Sequence, residues 1–185
     1  MHRERCLCSS IPKLNFRSRL SLVIHAKELK RTTNTGLLAA KALGNSVVIV
    51  RGATKEAVDL SSLLDPSYQT VLFYPSEDAV DLTELVRETE RPINLIVPDG
   101  NWRQASKVHY RHRELSHLPR VMIKTSSRET QHLRAESNDH GMATLLAIAQ
   151  AMGIIEGPGA EIPLTQLYRL KLARTLSGRG QTPSA

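Results

Sequence analysis

The sequence predicts an α/β fold in which a mostly parallel sheet is flanked by helices. Segments typical of strands alternate along the chain with segments typical of helices. The strand segments are short apolar runs, and the continuous run at 47–50 is typical of a parallel strand that is covered on both faces. The segment 142–152 is apolar almost all round, as expected for a buried helix. We expect one domain over residues 1–176 and a disordered Gly/Ser/Pro-rich tail over 177–185.

Each predicted strand rests on a short apolar run bounded by polar or turn-forming residues. The run at 47–50 is entirely β-branched, and we expect it to be buried. The run at 93–97 is the strand that leads into the most distinctive motif of the chain. The predicted strands cover 20–25, 47–50, 71–74, 93–97 and 121–123.

Helix predictions rest on apolar periodicity and on capping residues. Asn34 can cap a helix over 36–43, and Gly44 ends it. An amphipathic pattern predicts a helix over 78–90. Pro163 is expected to precede the last helix. The remaining predicted helices cover about 102–112, 142–152 and 164–176.

Charge is distributed in blocks, within a formal net charge of +7. Residues 1–33 carry eight basic and two acidic side chains, and residues 101–134 carry the same numbers, whereas the segment between them is acidic. Basic blocks attract nucleic-acid phosphates through counterion release. A solvated basic face without a partner is the alternative that charge alone leaves open.

Cysteine use and hydropathy exclude several classes of protein. No run approaches the roughly 20 apolar residues that a membrane-spanning helix needs, and the polar N-terminus does not resemble a signal peptide. The only cysteines, Cys6 and Cys8, are too close for an ordinary disulfide, which favours a reducing, cytoplasmic location. With no second cysteine pair, we expect no metal site.

The segment 98–102 combines a carboxylate, a glycine and the only tryptophan at the end of a predicted strand. Ligands of open α/β sheets bind beyond the carboxyl ends of the strands. Asp99 is therefore a candidate catalytic acid or base, although an aspartate at a strand end often serves only as a cap. Gly100 would let a ligand approach the backbone, and Trp102 could stack on a base or an adenine.

A second candidate loop follows the first strand, with His25 and Glu28 at its start and Asn34 and Gly36 at its end. The N-terminus of the predicted helix at Gly36 would favour an anion. A purely structural role, in which Asn34 caps the helix and His25 ends the strand, fits the sequence equally well.

Together these segments resemble the DTW-domain family, the tRNA-uridine aminocarboxypropyltransferases, which are related to the knotted SPOUT RNA methyltransferases. The resemblance covers roughly residues 6–152. Where the family pattern has threonine and glutamate, this chain has Asn101 and Leu146. The motifs that carry the resemblance are Cys6-Leu7-Cys8, His25-x-x-Glu28, Asn34-Thr35-Gly36-x-Leu38, Asp99-Gly100-Asn101-Trp102, Leu133-Arg134 and Met142-Ala143-Thr144-Leu145-x-Ala147.

The resemblance implies a reaction, a fold and a set of site residues. The 3-amino-3-carboxypropyl group of S-adenosylmethionine would pass to N3 of a uridine in tRNA, with release of methylthioadenosine, and Asp99 would be the general base. The fold would be SPOUT-like with a C-terminal trefoil knot. The implied donor-binding residues are Pro75, Pro98, Gly100, Asn101, Leu133, Met142 and Thr144. The implied RNA-binding residues are His25, Trp102, Arg103, Lys107 and Arg134.

Two other functions remain compatible with the sequence. The same pocket could direct the methyl group of the donor at RNA, as in a SPOUT-type methyltransferase. The chain could also be a non-catalytic RNA-binding module, because Leu146 and Gln131 replace polar groups of the family pattern. The released coproduct distinguishes the two transfer reactions.

Overall fold

The computed structural model describes residues 6–54, 56–100, 102–105, 108–124 and 143–178, with only the backbone described at 102, 103 and 109. Its centre is one sheet of six strands in the order β2-β1-β5-β3-β6-β4, with every pair parallel. The predicted α/β fold with a mostly parallel sheet is therefore confirmed. The strands are β1 (Arg19–His25), β2 (Ser46–Arg51), β3 (Gln69–Phe73), β4 (Val80–Asp81), β5 (Ile93–Asp99) and β6 (Arg120–Met122).

Helices cover both faces of this sheet and divide the interior into two apolar clusters. The larger cluster lies under α2, α3, α6 and α7, and the smaller one lies under α4 and α5. None of the described helices is both long and apolar enough to cross a membrane. The helices are α1 (Ala26–Leu29), α2 (Gly36–Ala42), α3 (Leu82–Arg87), α4 (Trp102–Ala105), α5 (Val108–Arg111), α6 (Thr144–Glu156) and α7 (Pro158–Ser177).

The strand β5 lies inside the sheet between β1 and β3. It extends two residues beyond the predicted end, so that Pro98 pairs with Val23 and Asp99 pairs with Ile24. Successive side chains of a strand point to opposite faces. Asp99 consequently shares the face of Leu95 and Val97, which belong to the larger cluster.

The prediction that the strand at 47–50 is buried is wrong. The strand forms, but it is the edge strand β2, and Val47 and Val48 remain 36% and 40% exposed. A continuous β-branched run cannot reveal whether one or two neighbours will pair with it.

The predicted helix over 78–90 is shorter in the structure. Val80–Asp81 pairs with β6 as the short strand β4, and α3 begins only at Leu82. The Asp81 carboxylate accepts a hydrogen bond from the backbone N–H of Thr83 at 2.8 Å and caps α3. The cap therefore fixes the helix start, which apolar spacing alone placed too early.

The last helix also begins at a different residue from the predicted one. It starts at Pro158, which occupies the first turn, and Pro163 lies inside the helix. The ring of a proline inside a helix meets the carbonyl of the residue four positions earlier, which here is Gly159. By contrast, α6 is buried as expected, with Leu145, Leu146 and Ile148 among its buried residues.

Candidate active site

Asp99 is the last residue of β5 and is only 4% exposed. Two side chains from distant parts of the chain donate hydrogen bonds to its carboxylate. The amide Nδ2 of Asn34 lies 2.6 Å from Oδ2, and the hydroxyl Oγ1 of Thr144 lies 2.7 Å from Oδ1. Such bonds stabilise a buried, ionised carboxylate. Asp99 is thus the point at which three of the motif segments meet.

Asn34 has two partners at this point. Its Oδ1 accepts the backbone N–H of Leu37 at 3.3 Å, while its amide donates to Asp99. Asn34 therefore bonds to the first turn of α2, as the sequence predicts, and also holds Asp99, which the sequence does not predict. Because its bond to α2 fixes the Asn34 side chain, the amide can donate to the Asp99 carboxylate from one direction only.

Gly36 packs directly against the carboxylate. A Cβ atom at this position would lie 2.7 Å from Oδ2 of Asp99 and 3.2 Å from Cδ1 of Leu22. Any side chain would therefore displace Asp99 or the neighbouring core. The glycine allows the first turn of α2 to close over the end of β5.

A buried hydrogen bond joins α2 to α6 next to the site. Thr35 is 3% exposed, and its Oγ1 accepts the backbone N–H of Leu145 at 3.1 Å. This N–H belongs to the first turn of α6, where no carbonyl of the helix can accept it. The bond positions Thr144, and with it the hydroxyl that holds Asp99.

His25 ends β1 and caps α1, because its Nδ1 accepts the backbone N–H of Lys27 at 3.2 Å. Burial and the nearby charges of Arg51 and Lys27 lower its pKa, which favours a neutral ring at neutral pH. With Nδ1 as acceptor, the neutral ring carries its proton on Nε2. His25 pairs in register with Arg51 at the end of β2.

The structure brings together several of the residues predicted from the sequence. Pro98 and Gly100 flank Asp99, and Thr144 contacts it, whereas Pro75 lies in an exposed position after β3. Gly100 is close to Gln104, because a Cβ added at Gly100 would lie 3.0 Å from the Cβ of Gln104. Outside the described residues lie Asn101, Lys107, Leu133, Arg134 and Met142, and no side chain is described for Trp102 and Arg103.

Sequence reasoning missed Arg51, which is 7% exposed. An arginine after an apolar run is ordinary, and nothing in the sequence shows that its side chain is buried. Sequence reasoning did not connect Asn34 with Asp99 either, although both belong to motifs that it singled out, because 65 positions separate them.

The two cysteines lie apart from this site, near the end of α7. The Sγ of Cys6 accepts the backbone N–H of Cys8 at 3.5 Å. This bond, with the nearby charges of Arg174 and Lys41, lowers the pKa of the Cys6 thiol. Within the described ranges no group of three or more potential ligands could hold a metal ion.

An all-parallel sheet with a buried carboxylate at the carboxyl end of an inner strand defines the class of open α/β domains, in which ligands generally bind at that edge. The motifs that meet at Asp99 are those of one family. The family model for the DTW domain matches residues 1–176, so the chain belongs to the DTW-domain family.

Curated relatives carry one shared description. Proteins called tRNA-uridine aminocarboxypropyltransferase 2 are 27% identical in Macaca fascicularis, 28% in Drosophila melanogaster and 30% in Mus musculus. Each match covers 82% of this chain. The chain spans 53% of the macaque and mouse proteins and 62% of the fly protein. No solved structure matches the chain.

Proposed function

We propose that the protein transfers the 3-amino-3-carboxypropyl group of S-adenosylmethionine to N3 of a uridine in tRNA and releases methylthioadenosine. The single observation that carries this proposal is the buried Asp99 carboxylate, which Asn34 and Thr144 hold at the carboxyl edge of the sheet. The membership of the DTW-domain family and the shared description of the relatives support the choice of reaction.

Asp99 is the general base of this proposal. Uridine N3–H is a weak acid, so its proton must pass to a base as the new bond forms. The proton moves to the Asp99 carboxylate, N3 bonds to the terminal carbon of the aminocarboxypropyl arm, and the bond between that carbon and sulfur breaks. A carboxylate can accept about four hydrogen bonds, so those from Asn34 and Thr144 do not by themselves exclude N3–H.

The donor is expected at the loops that follow β3 and β5. These strands are adjacent and parallel, so Pro75 and the pair Pro98 and Gly100 lie at the same edge of the sheet. Thr144 begins α6 beside them. We assign Asn101, Leu133 and Met142 to the same pocket as part of the proposal. When bound, the sulfonium donor supplies both the electrophilic carbon and its own leaving group.

The tRNA is expected to approach the same edge. Basic residues of both blocks reach it, because β1 and β5 are parallel neighbours, Lys27, Lys30 and Arg31 follow β1, and the second block begins after β5. Of the residues proposed to bind RNA, His25 lies at the end of β1. Trp102, Arg103, Lys107 and Arg134 complete the proposed surface.

Two further features belong to the proposal. A SPOUT-like C-terminal trefoil knot is part of the proposal, and the polar segment 124–141 that would thread it lies, apart from Lys124, outside the described residues. Cys6 and Cys8 are free, which fits a reducing compartment such as the cytoplasm.

The identity of the coproduct tests the reaction. The protein is incubated with S-adenosylmethionine and an unmodified tRNA transcript, and the released nucleoside is separated by chromatography. We expect methylthioadenosine in an amount equal to the modified uridine. Release of S-adenosylhomocysteine would instead identify a methyltransferase, and binding of tRNA without any coproduct would identify a non-catalytic RNA-binding module.

A further inference from the structure

Arg51 is the only lysine or arginine that is buried among the described residues. Its side chain lies on the face of the sheet opposite to Asp99, with the smaller apolar cluster, because Ile49 packs against that cluster and side chains alternate. One guanidinium nitrogen donates to the backbone carbonyl of Gln104 in α4. The buried Nε has no hydrogen-bond partner in the described part of the chain.

No carboxylate among the described residues forms an ion pair with Arg51. A charged donor that is removed from water without an anion is costly. Burial and the positive charge of Arg111 both lower the pKa of Arg51. Arg111 itself is exposed at the end of α5. Two arginines without a described counter-charge therefore lie close together, one buried and one exposed.

We propose that Arg51 and Arg111 form a binding site for a backbone phosphate of the RNA substrate. The proposal rests on the proposed function, because it takes the substrate to be RNA. The carbonyl of Gln104 fixes the Arg51 guanidinium, which leaves a planar donor ready for an oxyanion. The exposed Arg111 lies where the phosphate would enter.

The position of the site favours an RNA phosphate over the carboxylate of the donor. Arg51 ends β2, which is two strands from β5 and three strands from β3. With neighbouring strands about 4.8 Å apart, the ends of β2 and β5 are separated by roughly 10 Å. Because the two side chains point to opposite faces, the groups themselves lie farther apart than the strand ends, and an RNA with its base near Asp99 would reach Arg51 with the phosphate of a neighbouring nucleotide. The exposed Lys27 and Lys30 follow β1 between these strands and extend the cationic edge.

Salt-dependent tRNA binding tests this assignment. Affinity for an unmodified tRNA transcript is measured across a KCl series for the wild type and for Arg51→Gln, Arg111→Gln and Arg17→Gln. Arg17 is exposed before β1, at the opposite edge of the sheet, so its variant is the matched control for the lost charge. We expect Arg51→Gln to weaken binding roughly tenfold or more at low salt. The slope of log affinity against log salt concentration should become shallower by about one.

Further variants separate binding from folding. Arg51→Lys keeps the charge and should keep most of the salt dependence. Arg51→Gln removes a buried charge that has no described counter-charge, so the melting temperature of the free protein should stay the same or rise. If Arg51→Gln does not fold, the exposed Arg111→Gln decides the question, and it should also lower the salt dependence. Arg17→Gln should change neither the salt dependence of tRNA binding nor the melting temperature appreciably.

Three outcomes would overturn the assignment. The first is a salt dependence in Arg51→Gln and Arg111→Gln no different from that of Arg17→Gln. The second is a sharp drop in melting temperature for Arg51→Gln with unchanged tRNA binding by Arg111→Gln, which would mean an internal partner. The third is weaker S-adenosylmethionine binding with unchanged tRNA binding, which would point to the donor carboxylate. If the wild type transfers no aminocarboxypropyl group but the variants show the expected salt dependences, the proposed reaction is refuted and the phosphate site is supported.

Discussion

At the scale of single residues, the site is defined by what surrounds one carboxylate. Asn34, Gly36 and Thr144 approach Asp99 from two helices that are far apart in the sequence. Each has a size and polarity that the position requires. The amide and the hydroxyl donate hydrogen bonds, and the glycine leaves room for Oδ2. The motif residues therefore form one contact network around Asp99.

Gly36→Ala tests how tightly this network is packed. The new Cβ would lie 2.7 Å from Oδ2 of Asp99, so the carboxylate must move or α2 must shift. We expect a loss of about 1–3 kcal/mol in the free energy of unfolding, typical of overpacking, together with a loss of transfer activity. Urea denaturation monitored by circular dichroism measures the first quantity.

Gly159→Ala is the matched control, because nothing lies within 4 Å of a Cβ at that position of α7. It should leave activity unchanged and stabilise the protein by up to about 1 kcal/mol. Equal stability of Gly36→Ala and the wild type would show that the packing around Asp99 is looser than the structure indicates.

At the scale of elements, caps and pairings decide features that periodicity does not. The predicted strands at 20–25 and 93–97 agree with β1 and β5 because apolar residues dominate both runs, although Ser21 and Asn94 interrupt them. The two-residue β4 has no such signal, since its pairing with β6 exists only in the folded chain. Likewise, the buried state of Arg51 depends on how α4 packs over β2, which no local pattern encodes.

The cap of α3 gives a dependence of stability on pH. Hydrogen bonding to the Thr83 backbone N–H lowers the pKa of Asp81 in the folded protein. The unfolded state therefore binds the proton more readily, so the stabilisation is complete above the ordinary aspartate pKa of about 4 and is lost as the pH falls below it. Asp81→Asn keeps a capping side chain but has no charge to lose.

The free energy of unfolding of the wild type and of Asp81→Asn, measured from pH 7 to pH 3, checks this expectation. The wild type should be more stable at pH 7 by a few tenths of a kcal/mol, a small value because the carboxylate is solvated. The difference should disappear on acidification. A difference that stays constant with pH would mean that the charge of Asp81 contributes nothing to the cap.

At the scale of the whole molecule, the parallel sheet gathers distant segments at one edge. All six strands end on the same side, so the loops after β1, β3 and β5 are neighbours although the sequence separates them. This arrangement puts Asp99, the proposed donor loops and the cationic residues after β1 side by side. Composition predicted a basic protein, but only the strand order shows that the basic residues after β1 lie beside the end of β5.

The most direct test of the proposed reaction compares the wild type with Asp99→Asn. Mass spectrometry of nucleosides from tRNA incubated with S-adenosylmethionine measures the aminocarboxypropyl adduct on uridine N3. The Thr144 hydroxyl can accept a hydrogen bond from the new amide, and Asn34 can still donate to the remaining carbonyl, so the variant should fold. We predict the adduct with the wild type and its loss with Asp99→Asn, while tRNA and donor binding persist. Full adduct formation by Asp99→Asn would contradict the role of Asp99 as the base, and absence of the adduct with a folded, donor-binding wild type would contradict the reaction itself.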